Sequence, residues 1–182
     1  MAGRFGIIGC GYVGSAVAHH FRGLGVEVTG TTTGPSRLAE LCELVDHPRI
    51  YKAGDASADL SFLDDLDGLL VAMAPTTASF EEEQYRAVYG QAVPALVEAL
   101  KGRSSRRPLH VSYLSSAGVY GDQSGAVCNE LTPPDLSNTT NALLVQAESA
   151  MLTLNSAGLQ ACVLRLGGIY GPGKDIPSFI RS

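Results

Sequence analysis

The sequence predicts an α/β protein in which a parallel sheet of about six strands lies between two layers of helices. Three observations predict it. Short apolar runs alternate with stretches of helical spacing along the whole 182-residue chain, the pattern of a parallel sheet covered on both faces. Two of those runs, LLVAM at 69–73 and ACVLRL at 161–166, are almost continuously apolar, as strands buried on both faces are. The first run leads straight into FGIIGCGYVG, where Gly9, Gly11 and Gly14 make a G-x-G-x-x-G turn between a strand and a helix. Together these features read as a Rossmann-type, doubly wound, three-layer αβα domain over residues 1–173.

The elements follow in order. The first strand is read at 4–8, from Phe5, Ile7 and Ile8. Gly9 then allows the turn, Gly11 lets a pyrophosphate approach bare backbone, and Gly14 lets the helix pack close to the strand. That helix is read at 12–24 and closed by Gly25. Its free amides and positive dipole end would face phosphates, which makes Gly9, Gly11, Tyr12, Val13 and Gly14 candidate cofactor contacts. A plain packing turn is the alternative reading of the same glycines. The second strand falls at 26–31, and a helix runs from Ser36, as N-cap, to 45. A short third strand at 49–52 ends in Gly54-Asp55, and a weak helical turn at 60–66 precedes the fourth strand at 68–73. A long helix at 82–100 opens on the acidic run 81–83, where negative charge suits the helix dipole. The fifth strand is at 109–114, followed by a Gly-, Asn-, Thr- and Pro-containing loop at 121–138. A helix at 140–156, stopped by Gly158, leads to the sixth strand at 160–166.

Composition excludes several classes. Hydrophobic residues make up 45% and charged residues 17%, which is ordinary for a folded soluble domain. The net charge is −5 with no basic block, so nothing argues for a nucleic-acid partner. No apolar run is long enough to span a bilayer, and no signal-peptide pattern opens the chain. The expectation is a cytoplasmic protein. Its four cysteines, Cys10, Cys42, Cys128 and Cys162, lack paired spacing and read as reduced thiols rather than a zinc site or disulfide frame. No metal-ligand cluster is visible. His110 lies inside a strand and His19 and His20 lie on the first helix, away from the carboxyl edge where sites form.

The end of the second strand bears on the cofactor. NAD-preferring sites usually place an acid there, on the adenine ribose hydroxyls. The segment TTTGPSR has none and offers Thr31, Thr32, Ser36 and Arg37 instead. Hydroxyls with one guanidinium suit a ribose 2′-phosphate, so NADP is expected, with NAD the alternative. A helix start with a solvated Arg37 explains the same residues. Asp55 could accept from the adenine amino group or simply form a turn. Ala72 and Pro75, after the fourth strand, leave room for ribose and phosphates at the sheet edge.

Two later stretches are more specific: LSSAGVYG at 114–121 and LRLGGIYGPG at 164–173. With the glycine-rich turn, they make the chain resemble the extended short-chain dehydrogenase/reductases, and within them the NAD-dependent epimerase/dehydratase family and its atypical relatives. The resemblance covers essentially the whole chain. It implies an NAD(P)-dependent reaction on a nucleotide sugar or a similar alcohol or ketone, a homodimer formed through the helices at 82–100 and 140–156, and a serine, here Ser116, that polarises the substrate oxygen. It also implies a Tyr that moves the proton and a Lys four residues later that tunes it, with a Glu four residues after that. Anchoring on Glu148 puts Thr140 and Leu144 in the Tyr and Lys positions, and the helix contains neither Tyr nor Lys. Leucine cannot donate a hydrogen bond or tune a pKa. The chain is therefore expected to be atypical, with Ser116 and Tyr120 as the remaining catalytic candidates and a non-catalytic regulatory or redox-sensing NAD(P) binder as the alternative. Tyr120 and Tyr170 have mainly structural counterparts in the family. A generic αβ domain without cofactor is the third reading. Residues 174–182 read as the start of a truncated or missing substrate segment, which predicts that the last strand is covered by another chain or that the sequence is part of a longer one.

Overall fold

The computed structural model describes residues 3–52, 55, 58–75, 82–105, 107–157 and 159–175. Six strands form one parallel sheet: β1 (Arg4–Ile8), β2 (Glu27–Thr32), β3 (His47–Ile50), β4 (Gly68–Val71), β5 (His110–Ser116) and β6 (Gln160–Leu166). Their order is β3-β2-β1-β4-β5-β6. The chain winds outward from β1 through β2 to β3, then returns to pair β4 with the other side of β1. The connections leaving β1 and β4 diverge, which makes the carboxyl ends of those two strands the topological switch point at which such sheets hold ligands.

Helices cover both faces. On one side lie α1 (Tyr12–Gly23) and α2 (Leu38–Leu44). On the other lie α3 (Glu82–Tyr85), α4 (Val93–Lys101) and α5 (Thr139–Leu152). Strand alternation sorts the core into two layers. Ile7 and Leu70 point to the first side, with Cys10, Ala18, Val28 and Leu41. Ile8, Leu69 and Val71 point to the second, with Leu96, Leu144 and Met151. This is the Rossmann-like α/β fold expected from the sequence.

Several boundaries differ from the sequence reading, each for a physical reason. Strand β3 starts at His47, two residues early, because Thr29 of β2 pairs with it; Pro48 is tolerated on this edge strand. Strand β4 ends at Val71 rather than 73. Ser36 is not an N-cap: Gly34 caps a 3₁₀ turn at Pro35–Arg37, with no side-chain bond, ahead of α2. The expected helix at 82–100 is interrupted by a π-helical stretch at Arg86–Ala92. Pro94 follows one residue beyond it, and its ring would clash with the Gly90 carbonyl, four residues back, in a regular helix. Gly90 there packs against α5, with room for a Cβ only 3.2 Å from a Leu143 methyl. Helix α5 gives way to a 3₁₀ turn at Thr153–Ala157. Gly54, Glu81, Gly158 and the expected segment beyond Asp175 lie outside the described residues.

Candidate functional site

The glycine-rich turn connects β1 to α1 at the carboxyl edge. Gly9 has φ +98°, and a Cβ on it would sit 2.7 Å from the Ala72 carbonyl oxygen. Only glycine allows both the backbone angle and the approach of the two strand ends. A Cβ on Gly14 would collide with the Gly9 carbonyl, so α1 packs directly on the turn. Gly11 has nothing within 4 Å of its Cβ position. It caps α1 without a side-chain bond, and no acid stands in the first helical turn. The amides that follow, at Tyr12 and Val13, lack a local acceptor, which is the condition for holding an anion. The residues present therefore fit a dinucleotide's diphosphate.

Thr31 braces this turn from β2. It is buried; its hydroxyl accepts from the Gly9 amide at 2.9 Å, and its carbonyl accepts from Cys10 N at 2.9 Å. Thr32, Cys10, Arg37, Glu40 and Leu41 line a narrow crevice beside it. The Arg37 guanidinium forks on Glu40 at 3.1 and 3.0 Å. That bond raises the Arg37 pKa and lowers that of Glu40. Ser36 is exposed. Burial pushes the Cys10 thiol up to about 11, against smaller lowering effects from Thr31 and Arg37, so the thiol is neutral and inert near neutral pH. Ala72 extends the β4 pairing, donating to the Ile8 carbonyl at 2.8 Å. Ala72 and Pro75 are partly exposed at the same edge, and Asp55 is exposed beyond β3.

Ser116 ends β5 and caps the 3₁₀ turn Ala117–Tyr120, where its Oγ accepts from Gly118 N at 3.1 Å. Its own proton is left to donate elsewhere. The Tyr120 hydroxyl donates to the Asn129 carbonyl at 2.8 Å and accepts from Arg165 Nη1 at 3.0 Å. Arg165 also stacks 4.9 Å from the Tyr120 ring centre and forks on Glu148 at 2.7 and 3.0 Å. Ser115 donates to the same carboxylate at 2.6 Å. Glu148 is buried, and the hydrogen bonds it accepts from Arg165 hold the Arg165 pKa above the ordinary value, against the opposing effect of burial. The sequence reading used Glu148 only as an alignment anchor and gave Arg165 no role. The available signal was two opposite charges, each the only charged residue of its element. In α5, Thr140 is half-buried and Leu144 belongs to the core.

The segment after β6 returns to the glycine-rich turn. Gly171 and Lys174 exchange backbone bonds at 2.9 and 2.8 Å. A Cβ on Gly171 would lie 2.6 Å from the Tyr12 hydroxyl, and Lys174 Nζ sits 4.6 Å over the Tyr12 ring. Among the described residues no group of three or more metal-ligating side chains gathers, and no helix is long and apolar enough to cross a membrane.

A family model described as the NAD dependent epimerase/dehydratase family matches residues 7–182. The chain belongs to this family. No curated protein matches it. Solved structures of similar fold include a conserved protein of unknown function from Silicibacter pomeroyi (26% identity, TM-score 0.66, 95% of this chain and 56% of that one). A second is the UDP-glucuronic acid 4-epimerase of Bacillus cereus in complex with NAD (20%, 0.69, 92% and 57%). A third is a short-chain dehydrogenase/reductase superfamily protein from Agrobacterium tumefaciens with bound NAD (18%, 0.71, 89% and 48%). The chain thus spans about half the length of these structures. As an epimerase/dehydratase-family protein it has a Rossmann-like α/β fold.

Proposed function

We propose that the chain binds a nicotinamide dinucleotide at the carboxyl edge of the sheet and uses it on a hydroxyl or ketone carbon of a nucleotide sugar or similar small substrate. The observation that carries the reading is the bare Gly11 beside the uncapped amides of α1. Gly9, Gly11, Tyr12, Val13 and Gly14 would hold the diphosphate, Ala72 and Pro75 would border a ribose, and Asp55 would meet the adenine amino group. The cofactor, when bound, supplies or takes up hydride. Ser116, accepting from Gly118 and still free to donate, orients the reacting oxygen. Tyr120 holds the loop at Asn129 with the same hydroxyl that would otherwise serve chemistry. Water supplies the proton when a ketone is reduced and takes it up when a hydroxyl is oxidised, in place of Thr140 and Leu144, and positioning alone supports the transfer.

NADP remains the preferred cofactor in this reading. Arg37 exchanges Glu40 for the 2′-phosphate, with Thr31, Thr32 and Ser36 supplying hydroxyls nearby. Arg37→Ala should then weaken NADPH binding several-fold and leave NADH binding alone; equal effects on both would overturn the preference. The cofactor domain is assigned to 1–173 and the beginning of a substrate segment to 174–182. The protein is expected to be a cytoplasmic homodimer.

The test is a fluorescence titration of NADPH and NADH, followed by an absorbance screen of ketones and nucleotide sugars. Turnover lost in Ser116→Ala supports the enzyme. General acid–base and oxygen-polarising contacts are typically worth ~10²–10⁴-fold, so the loss should be at least ~10²-fold. Binding without turnover supports a second reading, a non-catalytic NAD(P)-binding regulator, which the burial of Leu144 in the core favours. No binding of either cofactor overturns both.

A further inference from the structure

The end of the sheet away from the glycine-rich turn holds a cavity that the dinucleotide reading does not use. In the first half of β1, β2 and β3 the register sets Arg4 beside Glu27 and Thr29 beside His47, with Arg49 two residues further along β3. Alternation along the strands turns these side chains to one face, the face on which a Cβ at Gly6 would strike Leu66. The turn at Ser61–Asp65 closes the other side, and Phe62 and Leu66 complete a cavity of about 270 Å³. Its charges are unevenly matched. The Glu27 carboxylate meets His47 Nε2 at 2.5 Å and Arg4 Nε at 3.5 Å, and Arg4 Nη1 reaches Asp65 at 3.5 Å. Arg49 lines the same space with no ion pair among the described residues. Thr29 lines it too; the residue is only 8% exposed, and its hydroxyl has no hydrogen-bond partner among the described residues. A buried hydroxyl without a partner is costly, and this one stands in the wall of an open space.

We propose that this cavity is a second binding site, for a small monocarboxylate with an apolar body. The Arg49 guanidinium forks on the carboxylate, which its planar geometry matches. The Thr29 hydroxyl donates to the same group, and the apolar body rests on Phe62 and Leu66. The volume falls just below the ~300–1,000 Å³ of drug-sized pockets, so the ligand is small. Glu27 and Asp65 border the same space and repel a dianion, which favours a carboxylate over a phosphate. The site is independent of the dinucleotide site at the carboxyl ends of the strands. A bound ligand ties the edge strand β3 to the turn before β4, and so stabilises the folded chain.

The test is calorimetry of the whole chain with benzoate, acetate and benzyl alcohol. Benzoate carries both the charge and the ring, and the other two carry one each. Benzoate should bind about tenfold more tightly than either, the scale of one charged hydrogen bond or one buried ring. Arg49 is exposed, so Arg49→Met should fold normally. It should weaken benzoate binding about tenfold and leave benzyl alcohol unchanged. Thr29→Val keeps the β-branched shape and should weaken benzoate several-fold. Saturating ADP-ribose should not alter benzoate affinity, because the dinucleotide site lies at the other end of the strands. Absence of benzoate binding overturns the proposal, and so does an affinity that Arg49→Met leaves unchanged. Competition by ADP-ribose overturns it as well, since benzoate would then occupy the dinucleotide site. Acetate or benzyl alcohol binding as tightly as benzoate overturns the assigned ligand class. A thermal melt of each variant separates lost binding from lost folding; should Thr29→Val not fold, Arg49→Met decides.

Discussion

Cys10 sits in the middle of the glycine-rich turn, and its burial has a consequence for pH. A thiol is uncharged while protonated, and burial raises its pKa from 9.0 to about 11. The folded chain therefore holds this proton where the unfolded chain has lost it. The associated stability is complete below about pH 9.0 and is lost as pH rises towards 11, because the unfolded state then binds fewer protons. Tyr89, buried and raised to about 12 from 10.0, adds the same sign at higher pH. Denaturant midpoints should fall between pH 9 and 10, and Cys10→Ala should flatten that fall. A wild-type midpoint that is level across this window would contradict the burial of the thiol. At neutral pH, alkylating reagents should modify the exposed Cys42 and Cys162 well before Cys10.

At the scale of elements, the ion pair between α5 and β6 is the most exacting contact. Glu148 keeps only 5% of its side chain exposed and Arg165 keeps 21%. Glu148→Gln preserves an acceptor for Ser115 but leaves the guanidinium without its counter-charge. Breaking such a pair costs about 3 kcal/mol, the low end for buried pairs because Arg165 is partly wet. Urea unfolding would measure it, and a Glu148→Gln chain as stable as the wild type would show that the pair carries nothing. This network also marks the limit of sequence reading. Strands β1 and β6 were legible to the residue, because their apolar runs are bounded by glycine or by polar residues. Strand β3 was not: HPRI is polar, and it is a strand because β2 offers it a partner. The π-helical stretch was only half legible: Pro94 stands in the sequence, but the packing of Gly90 on Leu143 joins distant segments. In the site, the glycine turn was readable because backbone geometry demands glycine there. Arg165, Glu148 and Tyr120 come together only after β6 docks beside β5 with α5 above it, and no spacing rule reports that.

For the whole molecule, the sheet has an unequal pair of edges. Strand β3 exposes one large hydrophobic residue, Ile50, among polar ones, whereas β6 and the segment after it expose Leu164, Ile169 and Tyr170. Among the described residues no strand pairs with the outer side of β6. An apolar edge of this kind favours pairing with another chain. Sedimentation velocity of this 182-residue chain should therefore show association that rises with concentration, and Leu164→Lys should reduce it. A monomer at every concentration would argue that the edge is self-sufficient. The position of Arg165 also links distant parts of the chain. It lies on β6, 45 residues along the chain from Tyr120, and through that phenol it steadies the 121–138 loop at Asn129. The Tyr120 hydroxyl holds that stretch of loop at Asn129, and Arg165 fixes the phenol from β6, so a loosening of β6 from β5 would be passed on to the loop.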